Sequence, residues 1–139
     1  MTTDPVYRRL FELAEQFHGH VGPFLVAGIR MARLATALLG EIDHIQTETG
    51  LDPPVSCITD GMQIATSLTL CNKGIILAAV SGTPAAVFTG TNGHSVRLEV
   101  RPSALELMQR SSEEGLRRLA EQVASLPASE LFVMTENAS

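Results

Sequence analysis

Val6, Leu10, Leu13 and Phe17 recur at spacings of four, three and four, the period of a single apolar helix face. Asp4 and Pro5 precede them, a capping side chain followed by a proline suited to the first helical position. A helix is therefore expected from Pro5 to near Gly19. Gly22-Pro23 restarts the chain, and from Pro23 to about Leu39 almost every position is apolar or small. A helix that is apolar on nearly all sides is buried on nearly all sides. Its Ala27, Gly28, Ala32 and Ala35 would let another backbone come close, and Gly40 suits its end.

Beyond Gly40 the period changes. Ile42 to Thr49 reads as a strand with Ile45, Thr47 and Thr49 on one face. Gly50 to Pro54 is a loop, and Ser56 opens a third helix reaching about Leu68. The continuous apolar run Ile75 to Val80 predicts a central strand, turned by Ser81 to Pro84 and followed by a strand over Ala85 to Thr89. Asn92-Gly93 is a hairpin signal. Val96, Leu98 and Val100 alternate with Arg97 and Glu99, the mark of a half-buried strand. Pro102-Ser103 opens a short helix. Ser111 or Ser112, with the acidic pair behind it, caps a last long helix whose inner face is Leu116, Leu119, Val123 and Leu126. In the tail from Ala128 to Ser139, Leu131, Phe132 and Val133 are available to dock on the body. Helices, then an antiparallel sheet, then helices again argue for an α+β fold, with residues 1–139 as a single domain.

Composition adds an interface to this picture. The chain has 139 residues, 45% hydrophobic and only 18% charged. So small a charged share leaves apolar surface to cover, and a homodimer is the natural expectation. The net charge is −5, no run of Lys or Arg forms a stripe, and there is no Trp and one Tyr. Both the electrostatic footprint and the stacking platform of a nucleic-acid binder are missing, so no nucleic-acid partner is expected. The N-terminus lacks the pattern of a signal peptide, and the most apolar stretch, Val21 to Leu39, contains Arg30 and Arg33. No membrane association is expected. A cytoplasmic location follows, with Cys57 and Cys71 reduced.

Three segments carry candidate chemistry. Phe17-His18-Gly19-His20 lies in the break between the first two helices. In an extended segment residues two apart point to one side, so His18 and His20 could face one metal. The plainer alternative makes His18 a helix cap and His20 an exposed loop residue. In Cys57-Ile58-Thr59-Asp60-Gly61-Met62-Gln63, Cys57 begins the third helix, where unpaired N–H groups and the helix dipole lower a thiol pKa. Asp60 shares its face one turn on, Gly61 leaves space beside Cys57, and Gln63, Thr66 and Ser67 continue a polar stripe. The plainer alternative makes Cys57 a small buried hydrophobe and Asp60 a partner of the helix N-terminus. The third segment, Thr69 to Gly74, presents Lys73 to an anion or else simply joins helix to strand. His94 follows the hairpin turn and reads as exposed. Arg30 and Arg33 are expected to reach an edge or pair with an acid.

Taken together and in order, these segments resemble the core domain of the FmdE family, named for formylmethanofuran dehydrogenase. The resemblance rests on Phe17 to His20 with Pro23 and Gly28, on Cys57, Asp60, Gly61 and Gln63, and on Thr66, Thr69 and Leu70. Ala85 to Phe88 and Arg101-Pro102 extend it, so that it covers roughly residues 6 to 110. It implies an α+β core that forms dimers, with zinc or another divalent transition metal near the two motifs. His18, His20 and Cys57 are then the first-choice ligands, and Asp60 is a fourth ligand or a partner that orients a histidine. Gln63 and Lys73 remain candidates for holding a small ligand or cofactor. Gly22 stands where the family commonly has Cys, so the resemblance does not extend to a sulfur-rich site. Its functional implication is a metal-binding accessory protein, associated with a larger oxidoreductase complex. The alternatives are a metal-dependent enzyme acting on a small molecule, or a metal-free ligand-binding module built on Asp60, Gln63, Thr66 and Lys73.

Overall fold

A computed structural model describes residues 5–78, 83–110 and 115–136. Two helices lead, α1 (Pro5–His18) and α2 (Pro23–Leu39), followed by β1 (Ile42–Glu48) and α3 (Cys57–Thr66). Three strands come next, β2 (Ile75–Leu77), β3 (Ala85–Gly90) and β4 (Ser95–Val100). The chain then forms α4 (Pro102–Met108), α5 (Leu116–Ser125), α6 (Ala128–Leu131) and a last strand, β5 (Phe132–Glu136). Asp4, Val80, Ser81, and the Ser111 or Ser112 cap fall outside the described residues.

The α+β class expected from the pattern holds. The five strands form one sheet in the order β2-β1-β3-β4-β5. It is mixed rather than wholly antiparallel, because β2 pairs parallel to β1, Ile45 against Ile75. The physical reason is the connection. The chain leaves β1, crosses through α3 and returns on the one side of β1 that β3 does not occupy; a crossover of this kind yields a parallel pair. The apolar run that begins at Ile75 is accordingly an edge strand and not a central one, with Ile76 and Leu77 exposed. A short apolar run has no periodicity that could separate these two cases.

The predicted alternation is otherwise reproduced. Ile45, Thr47 and Thr49 are buried, as are Val96, Leu98 and Val100. The β3–β4 hairpin turns through Asn92-Gly93, with Gly93 at φ +88°. On the opposite face Arg97 reaches Glu48 at 2.9 Å and Glu99 at 3.4 Å. The tail docks through buried Leu131 and Phe132, and β5 pairs antiparallel with β4.

Helix α2 is the spine of the helical layer, its Phe24, Leu25, Val26, Ile29 and Met31 all buried. Its closest neighbour is α3. An added Cβ on Gly28 would lie 1.9 Å from the Ile58 carbonyl oxygen, and one on Gly61 would lie 2.0 Å from the Leu25 carbonyl oxygen. The two backbones therefore touch through paired glycines. The space expected beside Gly61 exists, but it is filled by α2 and not left open to a ligand. Arg30 donates from Nη1 to the carbonyls of Val123 and Ala124 at 2.9 and 3.1 Å, tying α2 to the last turn of α5. Of the two expectations, reaching an edge or pairing with an acid, the second is not what these bonds show: Arg30 is a cation at a helix C-terminus. Arg33 lies over the Tyr7 ring, 5.1 Å from its centroid.

Helix α1 departs from the predicted face. It buries Leu10, Phe11 and Ala14, while Val6 is exposed and Phe17 is 59% exposed. Leu116 is likewise exposed, whereas Leu119 and Val123 of the same helix are buried. Both helix faces are right in period but rotated, because the neighbours that cover a helix select its inner stripe.

Candidate functional site

The site is built where the C-terminal end of α1 meets the first turns of α3. Gly19 terminates α1 in the left-handed region, at φ +95°, with its N–H donated to the Glu15 carbonyl at 3.1 Å. Glycine enters that region without steric cost. The turn folds His20 back beside His18, with ring centroids 4.7 Å apart and planes tilted by 55°. Two imidazoles separated by one residue thus lie together, as the His-x-His spacing suggested, although through a helix-terminating turn and not an extended segment.

His18 does not cap its own helix. Its Nδ1 lies 2.5 Å from Asp60 Oδ2 on α3. A carboxylate can only accept, so Nδ1 carries the proton and donates it. In the neutral ring Nε2 then holds the lone pair. That Nε2 is buried and has no hydrogen-bond partner, one of two such side-chain atoms among the described residues, the other being Thr47 Oγ1. A buried polar atom without a partner carries a desolvation cost, and such atoms are uncommon in native proteins.

Cys57 occupies the first position of α3, one turn before Asp60, and is partly buried. Its thiol pKa is raised, first by burial and second by the negative charge of Asp60. This corrects the expectation that the helix N-terminus would lower it. The amides that were to stabilise a thiolate are already engaged, because the preceding turn takes them up. The Cys57, Ile58 and Thr59 N–H groups donate to the carbonyls of Pro54, Val55 and Ser56. Metal coordination would reverse the effect by displacing the proton. Among the described residues no group of three or more His, Cys, Asp or Glu side chains stands ready to hold a metal ion.

Gln63, one turn beyond Asp60, lines an open cavity of about 420 Å³ between α1 and α3. Leu13, Gln16 and Phe17 form its α1 wall, and Ile64 joins Gln63 on the α3 side. Ser67 and Thr69 close one end. Lys73 lies elsewhere, in a separate cavity with Asp43, His44 and Asn72 beside the sheet edge. Thr66 turns its hydroxyl back onto the Met62 carbonyl at 2.7 Å. The stripe of Asp60, Gln63, Thr66 and Lys73 is therefore not gathered around one pocket. Cys71 and His94 are exposed. Residue spacing does not single out Gln16, Phe17 or Thr69 for binding, since only the approach of α1 to α3 brings them together.

The fold and these two motifs define a helix-covered α+β core with a histidine–carboxylate pair at its edge. The family model described as "FmdE, Molybdenum formylmethanofuran dehydrogenase operon" matches residues 17–133, and the chain belongs to that family. It is 31% identical over 133 residues to an Archaeoglobus fulgidus protein named "Probable S-adenosyl-L-methionine-binding protein". That match takes in 81% of this chain but 36% of the relative, so the chain spans about a third of the length of the curated relative it matches. A crystal structure of a tungsten formylmethanofuran dehydrogenase FmdE-like protein from Syntrophus aciditrophicus superposes with a TM-score of 0.68 at 20% identity. The superposition covers 94% of this chain and 71% of that one, and it establishes a shared fold. No helix among the described residues is long and apolar enough to cross a membrane.

Proposed function

We propose that this chain binds a divalent transition metal, zinc first among them, with His18 as the leading ligand and His20 and Cys57 completing the set. One observation carries this reading: the buried, unpartnered Nε2 of His18, whose ring is held by Asp60 from the other side. A carboxylate on one imidazole nitrogen fixes the tautomer and the ring orientation and leaves the other nitrogen as donor. This is the usual arrangement behind a metal-bound histidine. Asp60 thereby acts as the orienting partner and not as the fourth ligand. His20 stands beside His18, and Cys57 lies one turn before Asp60 on α3; binding would draw these side chains together, since among the described residues they do not already form a three-membered cluster. Two imidazoles and a thiolate suit zinc and leave one coordination position for water or another ligand. A bound zinc would supply Lewis acidity there.

The wider role we infer is that of an accessory component of the formylmethanofuran dehydrogenase type, acting as a homodimer. Family membership supports the first part. The exposed Ile76 and Leu77 on the edge strand β2 support the second, since an apolar sheet edge is stable when covered.

The test is metal content by elemental mass spectrometry on untagged protein, with His18→Gln, Cys57→Ala and Asp60→Asn variants. Near-stoichiometric metal is expected in wild type and its loss in the first two. In Asp60→Asn, zinc affinity should fall by about 10–100-fold, with the far-UV circular dichroism unchanged. Wild-type protein that takes up no metal even after anaerobic addition of zinc would overturn the assignment.

A further inference from the structure

Phe17 is more exposed than Val6, the other exposed large hydrophobic residue on α1, yet it stands on the helix face that periodicity assigns to the interior. It opens onto the cavity of about 420 Å³ between α1 and α3, a volume within the range of roughly 300–1,000 Å³ typical of small-molecule sites. The character of the lining is specific. Leu13 and Ile64 supply aliphatic surface, and Phe17 supplies an accessible aromatic face. Gln16 and Gln63 contribute two side-chain amides, each both donor and acceptor, that make no hydrogen bond to another described residue. Ser67 and Thr69 add hydroxyl groups. No lining residue is ionisable.

We propose that this cavity binds a planar, uncharged nitrogen heteroaromatic ring, stacked on Phe17 and read at its edge by the Gln63 and Gln16 amides. A charged ligand would find no counter-charge in this lining. A purely aliphatic one would leave two amides desolvated without partners, which costs binding energy. A heteroaromatic ring meets both demands, because its face is apolar and its edge carries the donors and acceptors that an amide complements. The far rim is held in shape before any ligand arrives. The Asn72 side chain accepts from the Thr69 and Gly74 N–H groups, both at 2.9 Å, and donates to the Ser67 carbonyl at 3.0 Å. Neither His18 nor Asp60 is among the residues that line this cavity. The inference goes beyond the metal reading and does not depend on it.

Saturation-transfer NMR with adenine, hypoxanthine and nicotinamide tests it, on wild type and on Phe17→Ala, Gln63→Leu and Lys73→Ala. Transfer to ring protons is expected in wild type for at least one of the three. Affinity for it should weaken by about tenfold in Phe17→Ala, the loss of one stacking face. Gln63→Leu should change the order of preference among the three, and Lys73→Ala should leave binding as it was. Phe17 is exposed, so its truncation leaves the core intact. The absence of binding by all three compounds, or equal binding by Phe17→Ala, would overturn the proposal. Ring binding that persists in Cys57→Ala while metal is lost would separate this site from the metal reading.

Discussion

Replacing Gly61 by Ala tests the contact that sets the position of α3. In an isolated helix this change is favourable by about 1 kcal/mol, because Ala is the better helix former. Here the new methyl would lie 2.0 Å from the Leu25 carbonyl oxygen, about 1.4 Å inside the 3.4 Å at which ordinary contact begins. The opposing atom is backbone at the centre of a buried helix and cannot swing aside, so the helices must part. A gap of even 0.5–1 Å forfeits roughly a quarter to a half of each dispersion contact it opens. Ile58, Met62, Leu25 and Ile29 all sit fully buried along this seam. Overpacking of this kind costs about 3 kcal/mol at the upper end of its usual range. Less the propensity gain, the net loss is about 2 kcal/mol, or about 6–10 °C in Tm for a chain of this size. Thermal and urea unfolding followed by circular dichroism would measure it. Gly28→Ala should cost a similar amount, and the double variant should lose less than the two singles added, since one separation relieves both clashes. A Gly61→Ala protein as stable as wild type, or more stable, would refute the backbone contact, because propensity would then be the dominant effect.

Two further outcomes follow from other parts of the molecule. In metal-free protein at pH 7.5, Cys57 should alkylate far more slowly than the exposed Cys71, because burial and Asp60 keep its thiol protonated. Asp60→Asn should speed it, as peptide mapping after iodoacetamide would read, and equal rates at the two cysteines would contradict the burial of Cys57. The same raised pKa makes a stability contribution that is complete below the ordinary thiol range and is lost as pH rises through the folded value, so its effect belongs to alkaline solution. Arg30→Met should destabilise the fold by about 1.5–3 kcal/mol in urea unfolding, the worth of charged hydrogen bonds to the Val123 and Ala124 carbonyls. An unchanged midpoint would show those carbonyls to be satisfied without it.

Local patterns of residue type determined much of this protein on their own. The first two helices begin at Pro5 and Pro23, and the hairpin turns at Asn92-Gly93, because proline, glycine and asparagine restrict or extend backbone freedom wherever they stand. The alternation of Val96, Leu98 and Val100 marks the inner face of β4, since successive strand residues must point to opposite sides. The pairing of the His18 and Asp60 motifs as one region was legible through the family resemblance, whose order of segments this chain repeats. Tertiary structure alone decided the rest. Whether Ile75 to Leu77 lies in the middle of the sheet or at its edge depends on which side of β1 the crossover leaves free. Phe17 is exposed and Phe11 is buried because α3 and α5, distant in sequence, cover one stripe of α1 and leave the next open. The Cys57 thiol is raised and not lowered chiefly because packing against the core buries it, with the Asp60 charge adding to the effect. In each case the deciding partner lies outside the window over which residue spacing carries information.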